Sequence, residues 1–347
     1  MDTQFRVVTF GEIMLRLSPP DHQRFTQAQS YDVAFGGGEA NVAVGLAHLG
    51  VSTEFVTRLP ANDLGEACLE FLRRHGVGTA HVQREGERLG IYFIELGAVY
   101  RPSKVIYDRA ASAWTTLEAG AVPWRAVLDG AGWFHWTGIT PGTAPGPAAA
   151  CLEGLRVARE LGVPISCDLN YRANLWKWGK EASAVMPELV GLCDVVIGNE
   201  EDAARVFGIH APDTNVERGE LVAENYRPVC EELVGRFPNL NLVAVTLRSS
   251  RSASDNLWSG ALWKEGRLYV APSYPIAPIV DRVGAGDSFV AGLLYAMHSY
   301  RGDWQHVVDF ATAASALKHT VPGDVSLATV SEVDALMKGD RSGRVRR

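Results

Sequence analysis

Apolar and polar positions alternate along this chain in two periods, and strand-like and helix-like stretches follow one another in turn. Residues 6–10 form a short apolar run ended by Gly11, the length of a buried strand. Val42, Leu46 and Leu49 follow at helical spacing, and Gly50 stands where a helix is closed by glycine. Residues 53–57 predict a second strand. Asn62 or Asp63 then predicts the cap of a helix with Leu64, Ala67, Cys68, Phe71 and Leu72 on one face, ended by Gly76. Between 88 and 110 the helical period is lost. Ile91, Phe93 and Leu96, then Val105, Ile106 and Tyr107, predict a pair of strands with no helix between them. With residues 12–34 this pair predicts a small sheet outside the main fold.

From about residue 115 the alternation resumes. Runs at 132–136, 164–168, 195–198 and 242–247 predict strands, and 148–161 and 185–192 predict helices. Strands separated by helix-length segments imply parallel βαβ units. A hairpin over 258–270, a glycine loop leading into a helix over 284–300 and a second helix over 303–318 complete the pattern. The tail over 338–347 is basic and is expected to fray.

Composition narrows the classes. A length of 347 residues allows two domains or one large α/β domain with an appendage. With 47% hydrophobic and 21% charged residues the chain can bury a sizeable core, which excludes disorder. A net charge of −7 argues against a nucleic-acid binder, yet leaves room for an anion held by a few backbone amides. No apolar run approaches the ~18–20 residues of a membrane span, and the first residues lack the apolar stretch of a signal peptide. The five cysteines form no Cys-x-x-Cys pair and read as reduced core thiols of a cytoplasmic protein. The nine histidines show no metal-ligand spacing.

Two segments carry chemistry. The first is Asp281-Arg282-Val283-Gly284-Ala285-Gly286-Asp287-Ser288-Phe289, followed by an apolar helical run. Glycines at 284 and 286 let a loop bring several backbone N–H groups into one space, and the helix N-terminus adds its dipole. A carboxylate at Asp287, beside such an anion site, is what phosphoryl transfer to a hydroxyl needs. Taken alone, Asp287 is read equally well as a helix cap. No Lys-Ser/Thr follows the glycines, so the loop is not a Walker A motif. The second segment is Gly36-Gly37-Gly38-Glu39-Ala40-Asn41, entering the helix at 41–49. Alone it is read as a hinge, a close backbone approach to a ligand, or a flexible turn. It lacks the G-x-G-x-x-G pattern of a dinucleotide site.

Together, GGGEAN at 36–41 and DRVGAGDSF at 281–289 resemble the two signature segments of the ribokinase-like (PfkB-type) carbohydrate kinases, in the same order and at a similar separation. Within that family the chain is most similar to the branch acting on 2-keto-3-deoxygluconate. That closer likeness rests on Gly11-Glu12-Ile13-Met14, Val105-Ile106-Tyr107-Asp108-Arg109, Thr246-Leu247-Arg248-Ser249, the Asp-Arg before the glycine loop, and Lys318-His319-Thr320-Val321-Pro322-Gly323-Asp324.

The resemblance implies a three-layer α/β/α core over 1–337 with an inserted β-sheet lid from about 12–34 and 88–112. It implies Asp287 as catalytic base and the amides of Gly284, Ala285, Gly286 and Asp287 as the anion hole. Gly36, Gly37 and Gly38 approach the substrate and hinge the lid, and Tyr92, Tyr107, Arg109, Arg172 and Asp324 contact it. An acid substrate needs a cation for its carboxylate, and arginine binds carboxylates bidentately. Arg172 lies just past a strand end, where α/β proteins place ligands. Taken singly, each of Tyr92, Tyr107 and Arg109 is more commonly part of an exposed strand face.

The nucleotide side is expected to use Asn199, Thr246, Arg248, Gly284, Gly286 and Thr312. Glu200 or Glu201 is expected to organise magnesium through water, and Asp202 stands where the family often has Glu. The family's glycine-containing nucleotide turn is replaced here by Thr246–Arg251, so Arg248 is a candidate phosphate contact. Trp258, Trp263 and His319 are expected to pack. The implied cofactors are ATP and Mg²⁺, with a monovalent cation such as K⁺ as a further candidate. The implied partners are a sugar acid and a second copy of the chain, paired lid to lid. Two other readings stay open: a kinase for another sugar (fructose, ribose, 2-keto-3-deoxygalactonate or 5-keto-2-deoxygluconate), and a non-catalytic sugar- or nucleotide-binding regulator.

Overall fold

A computed structural model describes residues 5–199, 201–211 and 222–340. The first third runs β1 (Arg6–Phe10), β2 (Met14–Ser18), β3 (Asp32–Gly36), α1 (Gly38–His48), β4 (Ser52–Leu59), α2 (Asp63–Arg74), β5 (Val82–Arg84), β6 (Ile91–Glu95) and β7 (Lys104–Asp108). The middle holds α3 (Trp124–Leu128), β8 (Trp133–Thr137), α4 (Ile139–Thr143), α5 (Pro145–Leu161), β9 (Ile165–Asp168), α6 (Ala182–Val190), β10 (Val195–Asn199), α7 (Asp202–Phe207) and α8 (Arg227–Arg236). The last third holds β11 (Leu242–Ser252), β12 (Asp255–Lys264), β13 (Arg267–Val270), β14 (Tyr274–Ile276), α9 (Ala285–Ser299), α10 (Trp304–Lys318) and α11 (Val330–Met337).

One large sheet has the order β13-β12-β11-β10-β9-β8-β1-β4-β5, with β14 added against β12. From β11 to β5 the pairings are parallel, and β12 and β13 turn antiparallel at the edge. The parallel strands are apolar almost throughout because helices cover both faces. One face packs Phe10, Phe134, Trp136 and Val196 against Leu155, Met186 and Leu233 of α5, α6 and α8. The other packs Val7, Val195 and Leu242 against Val42, Leu46, Phe289, Leu293, Phe310 and Val333 of α1, α9, α10 and α11. The expected three-layer α/β/α core is thus present, and no described helix is long and apolar enough to cross a membrane.

The remaining strands form a separate four-stranded sheet in the order β3-β2-β6-β7. Its strands lie within residues 14–36 and 91–108, and β3 runs on to Gly36, into the first glycine segment. Tyr92 and Tyr107 face each other across β6 and β7, and every residue of β7 is exposed.

Local signals explain the boundaries. Asn62, not Asp63, caps α2, accepting from the Gly65 amide at 3.0 Å. The helix read at 41–49 starts earlier, at Gly38, so the glycine run supplies both the end of β3 and the first turn of α1. The strand read at 242–247 continues to Ser252, so the 246–251 segment is strand rather than turn. The last described residue is Asp340, so most of the tail read at 338–347 lies outside the described residues.

Candidate active site

The carboxyl ends of the central parallel strands open into one cleft of about 350 Å³, bounded on the far side by the small sheet. Both glycine segments reach it. Gly284 takes a left-handed φ of 78° and starts α9, so that Gly286 and Asp287 lie in the first turn. A side chain at Gly284 would strike the Asp324 carbonyl oxygen at 1.7 Å, which is why glycine is required there. At Gly286 an added Cβ meets nothing within 4 Å, so this stretch of backbone faces open cleft. An added Cβ would meet the Asp324 carboxylate at 2.1 Å from Gly36 and the Glu12 carbonyl at 1.9 Å from Gly37, while from Gly38 it would lie 3.2 Å from Thr137 and 3.7 Å from Asp287. Gly36 and Gly37 are therefore sites of close backbone approach between the small sheet and the core.

Asp287 is buried at the helix N-terminus, and burial pushes its carboxyl up to about 6. The Asn41 amide, donating to Asp287 Oδ2 at 2.7 Å, opposes that rise, as do the charges of Arg172 and Lys318. A carboxylate poised near neutrality and opening onto a cleft can take a proton from a hydroxyl. Asp168, at the end of β9, is raised well above the usual carboxylate range by burial and by the nearby Asp202 and Asp287.

On the lid side, Tyr92 donates its hydroxyl to Asp324 Oδ2, while Arg16 of β2 bonds Asp324 Oδ1 at 2.6 Å and Asp281 Oδ2 at 2.6 Å. Asp324, expected to contact substrate, thus has both oxygens engaged within the protein. Arg109 lines the cleft above the Tyr107 ring, but its guanidinium is paired with Glu12, leaving its buried Nε without a partner. Arg172 is exposed, lines the cleft, and lowers the carboxyl groups of Asp168, Asp202 and Asp287 through space. Of the two arginines, Arg172 has its charge the more available.

On the other side, Asn199, Thr246 and Arg248 line the cleft as expected. The strand continuing through 246–251 puts Thr246 and Arg248 on the same face as Asn256 and Trp258 of the paired strand. Trp258 packs on His319 at 4.9 Å between ring centroids, and both also line the cleft, so they do more than fill the core. Asn256 is buried there with neither amide atom bonded. Trp263 points to the opposite face and packs in the core.

Two expected residues, Thr312 and Glu201, do not line the cleft. Thr312 is buried in α10, its hydroxyl bonded to the Val308 carbonyl at 2.8 Å because a threonine in a helix interior can satisfy itself that way. Glu201 is exposed and pairs with Arg205 at 3.5 Å, while Glu200 lies outside the described residues. Asp202 faces inward, accepting the amides of Asn199 at 2.8 Å and Tyr171 at 3.1 Å. It braces two strand ends, and its short side chain suits that task. Among the described residues no group of three His, Cys, Asp or Glu side chains could hold a metal ion.

Several cleft residues had no assigned role in the motif reading: Glu12, Asn41, Asp168, Asn256 and Arg282. Asn41 closes the first glycine segment and Arg282 stands inside the second, so motif position could have found them. Asp281 opens the second segment, so motif position marked it too, whereas Arg16 was signalled only as a lone charge inside an apolar strand.

Known proteins resemble this chain in sequence and fold. A solved 2-dehydro-3-deoxygluconokinase from Thermotoga maritima superposes with a TM-score of 0.91 at 46% identity, over 96% of this chain and 100% of that one. A 2-dehydro-3-deoxygalactonokinase from Haloferax volcanii is 32% identical over 97% of this chain and 98% of its own length. A fructokinase with bound ATP from Xylella fastidiosa, at 22% identity and a TM-score of 0.76 over 96% of this chain and 98% of that one, shares the fold. The pfkB family carbohydrate kinase profile matches residues 4–329, which carry the small sheet, the cleft and both glycine segments, and the chain belongs to that family.

Proposed function

We propose that this sugar kinase transfers the γ-phosphoryl group of ATP to the 6-hydroxyl of 2-keto-3-deoxygluconate, giving 2-keto-3-deoxy-6-phosphogluconate. The observation that carries the reading is Asp287, raised to about 6, beside the open Gly286 backbone and within the field of Arg172. The keto acid lies between lid and core, its carboxylate on the Arg172 side with Arg109 and Tyr107 above it. Asp287 accepts the hydroxyl proton as the oxygen attacks the γ-phosphorus. The bond to the bridging β–γ oxygen breaks and ADP leaves. The amides of 284–287 hold the charge on the phosphoryl oxygens as it passes.

ATP suits the opposite wall. Arg248 and Arg282 supply cations, Trp258 and His319 supply ring surfaces, and the unbonded Asn256 amide offers a donor and an acceptor. Magnesium bound with ATP would be held by phosphates and water near Asn199, and would neutralise the β- and γ-oxygens.

The test is an ADP-release assay over keto-deoxy sugar acids and neutral sugars. The keto acids should give the highest kcat/KM, and a neutral sugar outcompeting them would overturn the acid-substrate reading. The galactonate epimer is the second reading, favoured by the 32% identity to the Haloferax volcanii enzyme, and the same panel separates the two.

A lid-to-lid dimer is part of the proposal. Val33 and Ile106 of the small sheet are 64% and 55% exposed, and pairing would cover them. Sedimentation of the wild type against Ile106→Glu tests it. The five free cysteines, all buried, support a reducing compartment such as the cytoplasm.

A further inference from the structure

Two turns cross behind the phosphoryl-transfer loop: residues 280–284, which lead into α9, and residues 319–324, which follow α10. Main-chain bonds tie them, Val280 N to His319 O at 2.9 Å and Asp281 N to the same oxygen at 3.3 Å. The Asp281 carboxylate adds the amides of Val283 at 3.0 Å and Gly323 at 3.1 Å. At this crossing sits the ammonium of Lys318, on a side chain that is 1% exposed. Its Nζ donates to the carbonyl of Asp281 at 3.3 Å and to that of Val321 at 3.2 Å, one from each turn.

A buried ammonium is ordinarily balanced by direct contact with a carboxylate. Here its bonds go to carbonyl oxygens. Burial holds its pKa below the ordinary lysine value and the nearby Arg16 adds to that, while Asp281, Asp324 and Asp287 oppose it through space. Carbonyl oxygens from two turns, inside an acidic field, are what a hard monovalent cation would otherwise coordinate. The carbonyl oxygens of Asp281, His319 and Val321 at this crossing are already engaged.

We propose that the Lys318 ammonium is a built-in cation that sets the transfer loop, so that the enzyme needs no dissociable monovalent cation there. Lys318 is a positioning residue: it acts on Asp287 and the 284–287 amides by fixing the turn that leads into them. A K⁺ ion, suggested by the family resemblance, has no place to bind at this crossing while the lysine is present. The inference rests on the kinase reading, not on which sugar is phosphorylated.

The experiment compares the wild type with Lys318→Met, which keeps the length of the stem and removes the charge. ADP release and melting temperature are measured in potassium, ammonium, sodium and choline chloride at equal ionic strength. The wild type should turn over equally in all four. Lys318→Met should lose about tenfold or more in kcat in choline chloride. Potassium or ammonium should restore part of that loss and raise the variant's melting temperature, because either ion can enter the vacated carbonyl site. Strong potassium activation of the wild type would overturn the proposal, whatever the variant does. So would a variant with full turnover in choline chloride, or a loss that neither ion relieves. If no sugar supports ADP release the kinase reading fails, and the thermal arm still decides whether the vacated site takes a cation.

Discussion

Asn41 donates to Asp287 across 246 residues of sequence, at 2.7 Å, and joins the two glycine segments at the reacting centre. Asn41 enters the site on the first turns of α1, Asp287 on the first turn of α9. The bond favours the ionised carboxylate, while burial favours the neutral one. The rising limb of kcat/KM with pH should therefore lie near 6, activity being lost as pH falls and the base takes a proton. Asn41→Ala removes the opposing donor, so the limb should move upward by about one to two pH units, a hydrogen bond to a charged group being worth about 1.5–3 kcal/mol. A pH–rate profile of the variant checks this, and an unmoved limb would separate Asn41 from the titrating group.

Asp287→Asn should keep that neighbourhood and lose the base. Turnover should fall by about two to four orders of magnitude, the usual contribution of general base catalysis. ATP affinity, measured by calorimetry, should hold. Near-wild-type turnover would sink the assignment of the base.

Much of this site could be read from the chain before its fold was known, and the reason is local. The parallel strands are buried on both faces, so short apolar runs mark them. Gly284 and Gly286 stand beside Asp287 because one turn must both bend sharply and present amides. Arg16 shows where such reading stops. Its partners Asp281 and Asp324 lie 265 and 308 residues away, and only the folding of the small sheet over the core brings them together. Asp202 shows the same limit in another form. Its position suggested magnesium chemistry, yet burial and two backbone amides make it a brace between β10 and the segment after β9. Thr312 is hidden because a helical threonine can bond its own turn.

Arg16 should matter to stability more than to chemistry. Its side chain is 4% exposed and bridges two carboxylates that are themselves buried. Arg16→Met would leave the Asp281 and Asp324 carboxylates without the guanidinium that bridges them, with the Lys318 ammonium still nearby. Removing one partner of a buried ion pair costs about 3–5 kcal/mol. Denaturant unfolding should show a loss of that order, and adding Asp324→Asn to the variant should recover part of it. A change within error of zero would mean that water reaches the triad.

Glu39 makes a prediction about pH and stability. It is wholly buried, bonded to Thr137 and Thr140, and burial pushes its carboxyl up to about 7 from the ordinary 4.5. Between those two values the folded chain binds more protons than the unfolded chain. Stability from this group is therefore present at low pH, falls as pH rises across that window, and is level above it. Asp287 acts in the same sense up to about 6. Glu39→Gln can keep the threonine bonds to its amide oxygen without ionising. Its melting temperature should drop less than that of the wild type between about pH 5 and about pH 8. An identical drop in both proteins would show that Glu39 does not titrate there.

Gly284 and Gly286 should separate fold from chemistry. At Gly284 the left-handed φ of 78° and the Asp324 carbonyl at 1.7 Å from an added Cβ both oppose a side chain. Gly284→Ala should cost about 1–3 kcal/mol for the backbone alone, before the clash is counted, and should be seen as a lowered melting temperature. At Gly286 the backbone is helical and an added Cβ meets nothing within 4 Å. Gly286→Ala should therefore leave the melting temperature unchanged or raise it, alanine being favoured over glycine in a helix by about 1 kcal/mol. Its methyl group would stand in the open cleft where the phosphoryl group must approach the amides, and turnover should fall by about a hundredfold, the scale of a lost oxyanion donor. Measuring melting temperature and ADP release on the same preparations makes the comparison direct. A Gly286→Ala enzyme with full turnover would show that the phosphoryl group does not pass over this loop.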